Sequence, residues 1–272
     1  MAFLSCCSID TWAAAAGLGA LKSGIAFNFS GTTEVLGVMT RQSMPAEGLL
    51  SVDWGGLFQL GGPSQSGGDA ICWLLSLLGQ EESENALVGI AVDALLAHPR
   101  HPQALLFLPY LQGERTPYWD PALRGAFIGL HRGHRATDLA YAVLEGVAYL
   151  NRVVLERAET ALGQAVTEIR FGGGGATNVA WRQIKADVCE RPVVVGASAQ
   201  PGALGAALVA WTGLGRFDSL EQAQDELVKV VARYEPDPAR TEVHRRMFDL
   251  YRRSEAGLAD ISRDLVALSA RA

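Results

Sequence analysis

A mixed α/β layer fold is what this sequence predicts. Short β-rich runs alternate with helical stretches along the chain, and a hairpin signal lies near its start. The 272 residues are 49% hydrophobic, enough to bury a substantial core. No internal repeat, low-complexity tract or long linker interrupts the pattern.

The elements follow in order. Residues 11–21, opening Thr11-Trp12 and running through four alanines, read as a short helix ending at glycine. Residues 25–29 and 34–39 are β-rich and flank Ser30-Gly31-Thr32-Thr33, the hairpin signal. Residues 55–68 are glycine-rich and read as a loop. Residues 69–78 place Ile71, Leu74, Leu75 and Leu78 at helical spacing, and 85–97 predicts another helix. The apolar run 104–108 has strand length and suits a strand buried on both faces. A polar loop spans 113–125, and 126–130 predicts a short strand.

Thr137-Asp138 is expected to cap a long helix reaching Leu162, closed by Gly163. A strand at 167–171 runs straight into four glycines, Gly172 to Gly175, and Asn178 opens the next helix. A strand at 193–195 and a small-residue helix at 202–212 follow. Helices over 219–232 and 238–268 complete the pattern. The last carries a stripe of Val243, Met247, Leu250 and Tyr251 that must pack on something.

Composition narrows the function. The net charge of −6 and a pI near 5.4 argue against broad contact with nucleic acid or an anionic membrane. No apolar stretch approaches the roughly 20 residues of a membrane span. The first residues lack a basic region and Asp10 interrupts their apolar run, unlike a secretory signal. Cys6, Cys7, Cys72 and Cys189 include no C-x-x-C pair, so zinc is not expected. Cys6 and Cys7 read as two small buried apolar residues. A large chain with few scattered cysteines fits a reducing, cytoplasmic setting.

Standard catalytic motifs are missing. There is no G-x-x-x-x-G-K-[ST] and no H-E-x-x-H, and the five histidines lack ligand spacing. Gly62-Pro63-Ser64-Gln65-Ser66 misses the nucleophile elbow at its last position.

Three features carry chemistry. In Ser30-Gly31-Thr32-Thr33 a glycine lets amides turn toward an anion and two hydroxyls add donors, which suits phosphate; an ordinary hairpin turn has the same composition. The glycine corner after Phe171 lies where a strand meets a helix, the place where ligands sit in open α/β sheets; a tight turn is the alternative. Its G-x-G-x-x-N pattern is not a dinucleotide fingerprint. Asp10 offers a carboxylate for general-base work, or else an N-cap for the first helix.

A family resemblance rests on longer segments. These are LPYLQGERTPYWDPALRG at 108–125, LEGVA at 144–148 and GGGGATNVAWRQIKAD at 172–187. Gly67-Gly68 followed by Trp73, Gly205-Ala206-Ala207 and the Tyr234-to-Pro238 run add to them. Together, over about 10–255, they resemble the second half of FGGY carbohydrate kinases, with xylulokinase-like and gluconokinase-like members nearest.

The resemblance implies an actin-like ATPase, ribonuclease-H-like domain with a mixed sheet flanked by helices. It implies ATP and Mg²⁺ as cofactors and a small-molecule sugar or sugar acid as substrate. Asp10 matches the family's catalytic aspartate, and Gly31, Thr32 and Thr33 match its phosphate loop. Gly113 matches a loop near the phosphates, and Gly173, Gly174 and Asn178 match the adenine site. Ser5 to Ile9 depart from the glycines the family carries before its aspartate.

The resemblance further implies that an amino-terminal half, with a Gly-x-Asp-x-Gly-Thr-type loop and most sugar contacts, stands apart from this chain. The helix at 238–272 would then pack toward that half. A separately encoded partner half would complete a kinase; without it the chain would be a nucleotide-binding remnant or an interaction module. The uncovered apolar face would favour self-association into a homo-oligomer.

Overall fold

The computed structural model describes residues 9–80 and 85–269. Its centre is a mixed sheet. β1 (Ile25–Ser30) and β2 (Glu34–Thr40) form the antiparallel hairpin, in register from Ala26 opposite Val38 to Ser30 opposite Glu34. β3 (Leu50–Asp53) and β4 (Phe58–Ser64) extend it on the β2 side. β7 (Glu168–Gly172) joins β1 in parallel, followed by β8 (Val193–Gly196) and β9 (Val230–Tyr234). The order across the seven strands is β3-β4-β2-β1-β7-β8-β9. β5 (Leu106–Leu108) and β6 (Ala126–Ile128) pair apart from it as a second, two-stranded sheet.

Strand alternation sorts the core into two faces. Ala26, Leu36, Val38, Leu60, Ile169, Phe171 and Val193 pack with α4 (Ala136–Leu162) and α5 (Val179–Cys189). Ile25, Phe27 and Met39 point the other way, against α1 (Asp10–Gly17). α1 lies on α6 (Pro201–Gly213), backbone to backbone. A Cβ on Gly205 would stand 1.7 Å from the Ala13 carbonyl oxygen, and one on Gly17 1.8 Å from that of Pro201. α2 (Gly68–Leu77) and α3 (Asn85–Leu96) complete the α4 side. α7 (Leu220–Leu227) abuts α1 and α6, and α8 (Pro238–Ser269) packs on α5.

Several expectations needed correction. Half of the glycine-rich stretch 55–68 is strand β4. Its glycines answer to close approach: a Cβ on Gly61 would meet the Leu36 carbonyl at 2.1 Å, and one on Gly62 the Thr116 hydroxyl at 2.3 Å. The helix expected over 219–232 stops at Leu227, because Val230 to Tyr234 add to the free edge of β8. The first helix ends at Gly17, and residues 18–21 turn back toward β1.

At the start of α4, Asp138 caps from inside the first turn, accepting from the amides of Arg135 (2.8 Å) and His101 (2.7 Å). On α8 the buried stripe runs through His244, Met247, Phe248 and Tyr251, while Val243 and Leu250 are exposed. Cys189 is buried and Cys72 exposed, while Cys6 and Cys7, read as buried, lie outside the described residues, as do Ser5 to Ser8. Among the described residues, no helix is long and apolar enough to cross a membrane.

Candidate functional site

Parallel pairing sets Phe29 beside Gly172, so the hairpin turn and the glycine corner emerge at the same edge of the sheet. The two then interlock. Gly173, at φ +88°, has room for no Cβ: one would stand 2.2 Å from the Ser30 carbonyl oxygen. A Cβ on Gly175 would lie 2.4 Å from the Ser30 hydroxyl and 2.7 Å from the Trp181 ring. Gly173 therefore lets one backbone rest on another, and Gly175 leaves room for the Ser30 and Trp181 side chains.

The hairpin turn is anchored by its carbonyls. The Gly31 carbonyl accepts from the Gly68 amide at 2.9 Å, that of Thr32 from Asp69 at 3.1 Å, and that of Thr33 from Gly31 at 2.9 Å. Among the described residues, the amides and hydroxyls of Thr32 and Thr33 donate to no protein group. A turn with its carbonyls spent and the Thr32 and Thr33 donors free is built to receive an acceptor-rich ligand.

Those donors face a cleft of about 1000 Å³. Asp10, Gly31, Thr32, Thr33, Gly173, Gly174 and Asn178 all line it, together with Asp93 and the first residues of α6. A second cavity of about 480 Å³ continues from it, sharing Gly31, Thr32, Gly174, Thr177 and Asn178. Ile71, Val88, Val92, Leu144 and Trp181 form its apolar walls, with Asp69 and Cys72 beside them, a slot suited to a flat ring.

Asp10 opens α1 with Ile9 in the capping position. Its Oδ1 accepts from the Thr11 amide at 2.6 Å and the Thr11 hydroxyl at 3.3 Å. This is a local contact and caps no second or third amide of the helix, so the capping alternative fails. Asn178 does cap α5: its Oδ1 accepts from the Trp181 amide at 2.8 Å, and its Nδ2 donates to Asp93 at 2.7 Å.

Gly113 stands apart from the other residues the sequence singled out. It lines neither cavity, and its φ of +77° with a Cβ position 2.7 Å from Pro121 marks a tight turn within its own loop. The loop reaches the site through the next residue. Glu114 accepts from the Gln65 amide and, at 3.0 Å, from the Ser66 hydroxyl, just before Gly67 and Gly68. Burial pushes the Glu114 carboxyl up to about 7. Asp69, at the start of α2, is also raised by burial.

Asp93, Glu114 and the α6 start escaped the sequence reading. Asp93 had one signal, as the lone acid in the apolar helix Asn85–Leu96. The others act through contacts distant in sequence.

This geometry belongs to an actin-like ATPase fold. The model of the FGGY family of carbohydrate kinases, C-terminal domain, matches residues 26–214, and the chain belongs to that family. It is 32% identical over 192 residues to a xylulose kinase of Bacillus subtilis, covering 70% of this chain and 37% of that protein. A gluconokinase of Bacillus subtilis is 36% identical over 172 residues, covering 61% and 34%. The solved xylulose kinase from Rhodospirillum rubrum superposes with a TM-score of 0.79 at 30% identity, covering 93% of this chain and 51% of that one. The chain thus spans between a third and a half of the length of these relatives.

Proposed function

We propose that the chain forms the nucleotide-holding half of an ATP-dependent carbohydrate kinase. The observation that carries this reading is the shared cleft, in which a carboxylate, a turn with free donors and an apolar slot meet. In this reading Ile71, Val92 and Trp181 enclose adenine, with the backbone of Gly173 and Gly174 beneath it and Asn178 at its edge. The amides and hydroxyls of Thr32 and Thr33 hold the phosphate oxygens, and Gly31 shapes the turn that presents them.

Asp10 accepts the proton of the attacking sugar hydroxyl. The new bond forms between that oxygen and the γ-phosphorus. The bond to the bridging oxygen breaks, and ADP leaves with its electron pair. Such transfer depends mainly on positioning and charge stabilisation. The donors of the threonine turn supply part of the latter.

No Lys, Arg or His lines either cavity among the described residues, whereas Asp10, Asp69 and Asp93 do. A polyphosphate facing three carboxylates calls for a cation, and Mg²⁺ fits the oxygen-only donor set. Among the described residues no cluster of three His, Cys, Asp or Glu side chains could hold a metal alone, so phosphate oxygens would be the principal ligands. Bound there, Mg²⁺ would supply counter-charge.

We favour a ketopentose as acceptor, in keeping with the xylulose kinases among the relatives. Cytoplasmic action and completion by a separate amino-terminal half belong to the same proposal.

Calorimetric titration with Mg·ATP tests the reading. The purified chain is expected to bind, and Gly173→Ala to weaken binding more than tenfold, about 1.4 kcal/mol. Asp10→Asn should bind normally. In a complemented enzyme, offered pentoses, hexoses, sugar acids and polyols, the same change should lower kcat by roughly 10²- to 10⁴-fold. Failure of the unaltered chain to bind ATP overturns the proposal.

A further inference from the structure

We propose that Glu114 is a positioning residue for the threonine turn, and that nucleotide binding selects its carboxylate form. The inference rests on the reading of the cleft as a nucleotide site and assigns this buried acid a part in it.

The path from Glu114 to the turn is short and fully specified. Glu114 is 3% exposed. Its carboxylate accepts from the Gln65 amide, the Arg115 amide (2.8 Å) and the Ser66 hydroxyl (3.0 Å). Ser66 also donates to the Pro109 carbonyl at 2.5 Å, which fastens the same segment to the end of β5.

The next two residues are glycines with no room for a side chain. A Cβ on Gly67 would stand 2.7 Å from the Thr32 carbonyl oxygen, and one on Gly68 2.6 Å from that of Gly31. The Gly68 and Asp69 amides then take those same two carbonyls. Moving residues 65–66 by a fraction of an ångström therefore moves the turn, because close-packed backbone transmits displacement.

All three partners of Glu114 are donors, so the carboxylate is the form this arrangement accommodates. A proton on it removes one acceptor and points a fourth donor into the cluster. Burial makes that proton easy to take near neutrality, since it lifts the group to about 7. The surrounding charges do not hold it down. Arg115 turns its guanidinium to the Ser64 carbonyl at 2.8 Å. Asp120 pairs with Glu114 through backbone only, Asp69 turns its carboxylate to the Gly67 amide at 3.1 Å, and Tyr251 of α8 is itself raised, chiefly by burial and least by the Glu114 charge.

The sign follows from linkage. If the nucleotide requires the ordered turn, it favours deprotonated Glu114, releases a proton near pH 7, and binds more weakly as the pH falls through 7.

The experiment compares the whole chain with Glu114→Gln and the milder Ser66→Ala, using Mg·ATP as the probe. Glu114→Gln should lower affinity about tenfold and Ser66→Ala about threefold. Between pH 8 and pH 6 the unaltered chain should weaken at least about threefold more than Glu114→Gln does. This difference cancels the titration of the nucleotide's own phosphates.

Asp138→Asn removes another buried carboxylate that accepts two amides but lines neither cavity. It should cost comparable stability and leave affinity unchanged. Hydrogen exchange without nucleotide supplies an independent arm: the Gly68 and Asp69 amides should lose protection in both Glu114→Gln and Ser66→Ala. Unchanged affinity, pH slope and exchange in these two variants would overturn the assignment. If the unaltered chain binds no ATP, the nucleotide reading falls, and exchange alone decides whether Glu114 anchors the turn.

Discussion

On the hairpin side of the cleft, Glu34 stands two residues from Thr32 with its carboxylate wholly buried. It accepts from Lys185 Nζ through both oxygens at 2.9 Å and from Asn28 at 3.1 Å. Lys185 in turn donates to Asn151 at 2.5 Å and lies over the rings of Phe171 and Trp181, 4.9 Å from each. On the opposite side, Asp10 is exposed and, among the described residues, bonded only to its neighbour Thr11, at the tip of an eight-residue helix. One network therefore ties β2, α4, α5 and the strand leading into the glycine corner together beneath the threonine turn. The acid across from it depends on how α1 sits on α6. The contrast suits the proposed roles, in which rigid donors hold the phosphates and Asp10 adjusts as base.

The largest expected effect would break the rigid side. Lys185→Met leaves Glu34 buried without its cation and should cost about 3–5 kcal/mol in urea melts. Replacing both partners, Lys185→Met with Glu34→Gln, should recover much of that loss, since an uncompensated charge is worse than a neutral pair. A loss below about 1 kcal/mol in the single variant would mean that water or another group screens Glu34, and that the hairpin is no firmer than α1.

A smaller effect belongs to the other side. Gly205→Ala drives a methyl group toward the Ala13 carbonyl and should cost about 1–3 kcal/mol. Its signature is locality. Amide exchange should rise over 13–17 while β1 and β2 keep their protection. Equal loss on both sides would remove the distinction drawn between them.

The same contrast explains what the sequence disclosed. The hairpin, the glycine corner and the long helix α4 are local, with turn residues, apolar periods and a closing Gly163 within a few positions of one another. They were legible. The glycines of β4 were not: Gly61 and Gly62 look like loop residues until Leu36 and Thr116 are brought against them. The first three residues of β9, 230–232, fall within the expected helix because only the β8 edge gives Val230 to Tyr234 a ladder.

Within the site, Thr32, Gly173 and Asn178 stood in recognisable patterns. Lys185 and Glu34 lie 151 positions apart, and nothing local to either predicts their pairing. Gly113 drew notice in a distinctive loop, yet the contact with the site belongs to Glu114.

The smallest effect tests a third wall, the one that closes the apolar slot. Asn178 spends its side chain twice, on the Trp181 amide of α5 and on Asp93 of α3. Loss of the cap in Asn178→Ala should cost about 1 kcal/mol. Asp93→Ala removes only the exposed end of the second bond and should cost less, about 0.5 kcal/mol.

The informative quantity is their coupling. Asp93 has no bond to α5 except through Asn178, so the double variant should cost about as much as Asn178→Ala alone. Additive losses would mean that α3 docks by its apolar residues and that the Asn178–Asp93 bond does not hold it. The slot would then share the looseness of the Asp10 side. Non-additive losses would place it with the hairpin, as a wall fixed before any nucleotide arrives.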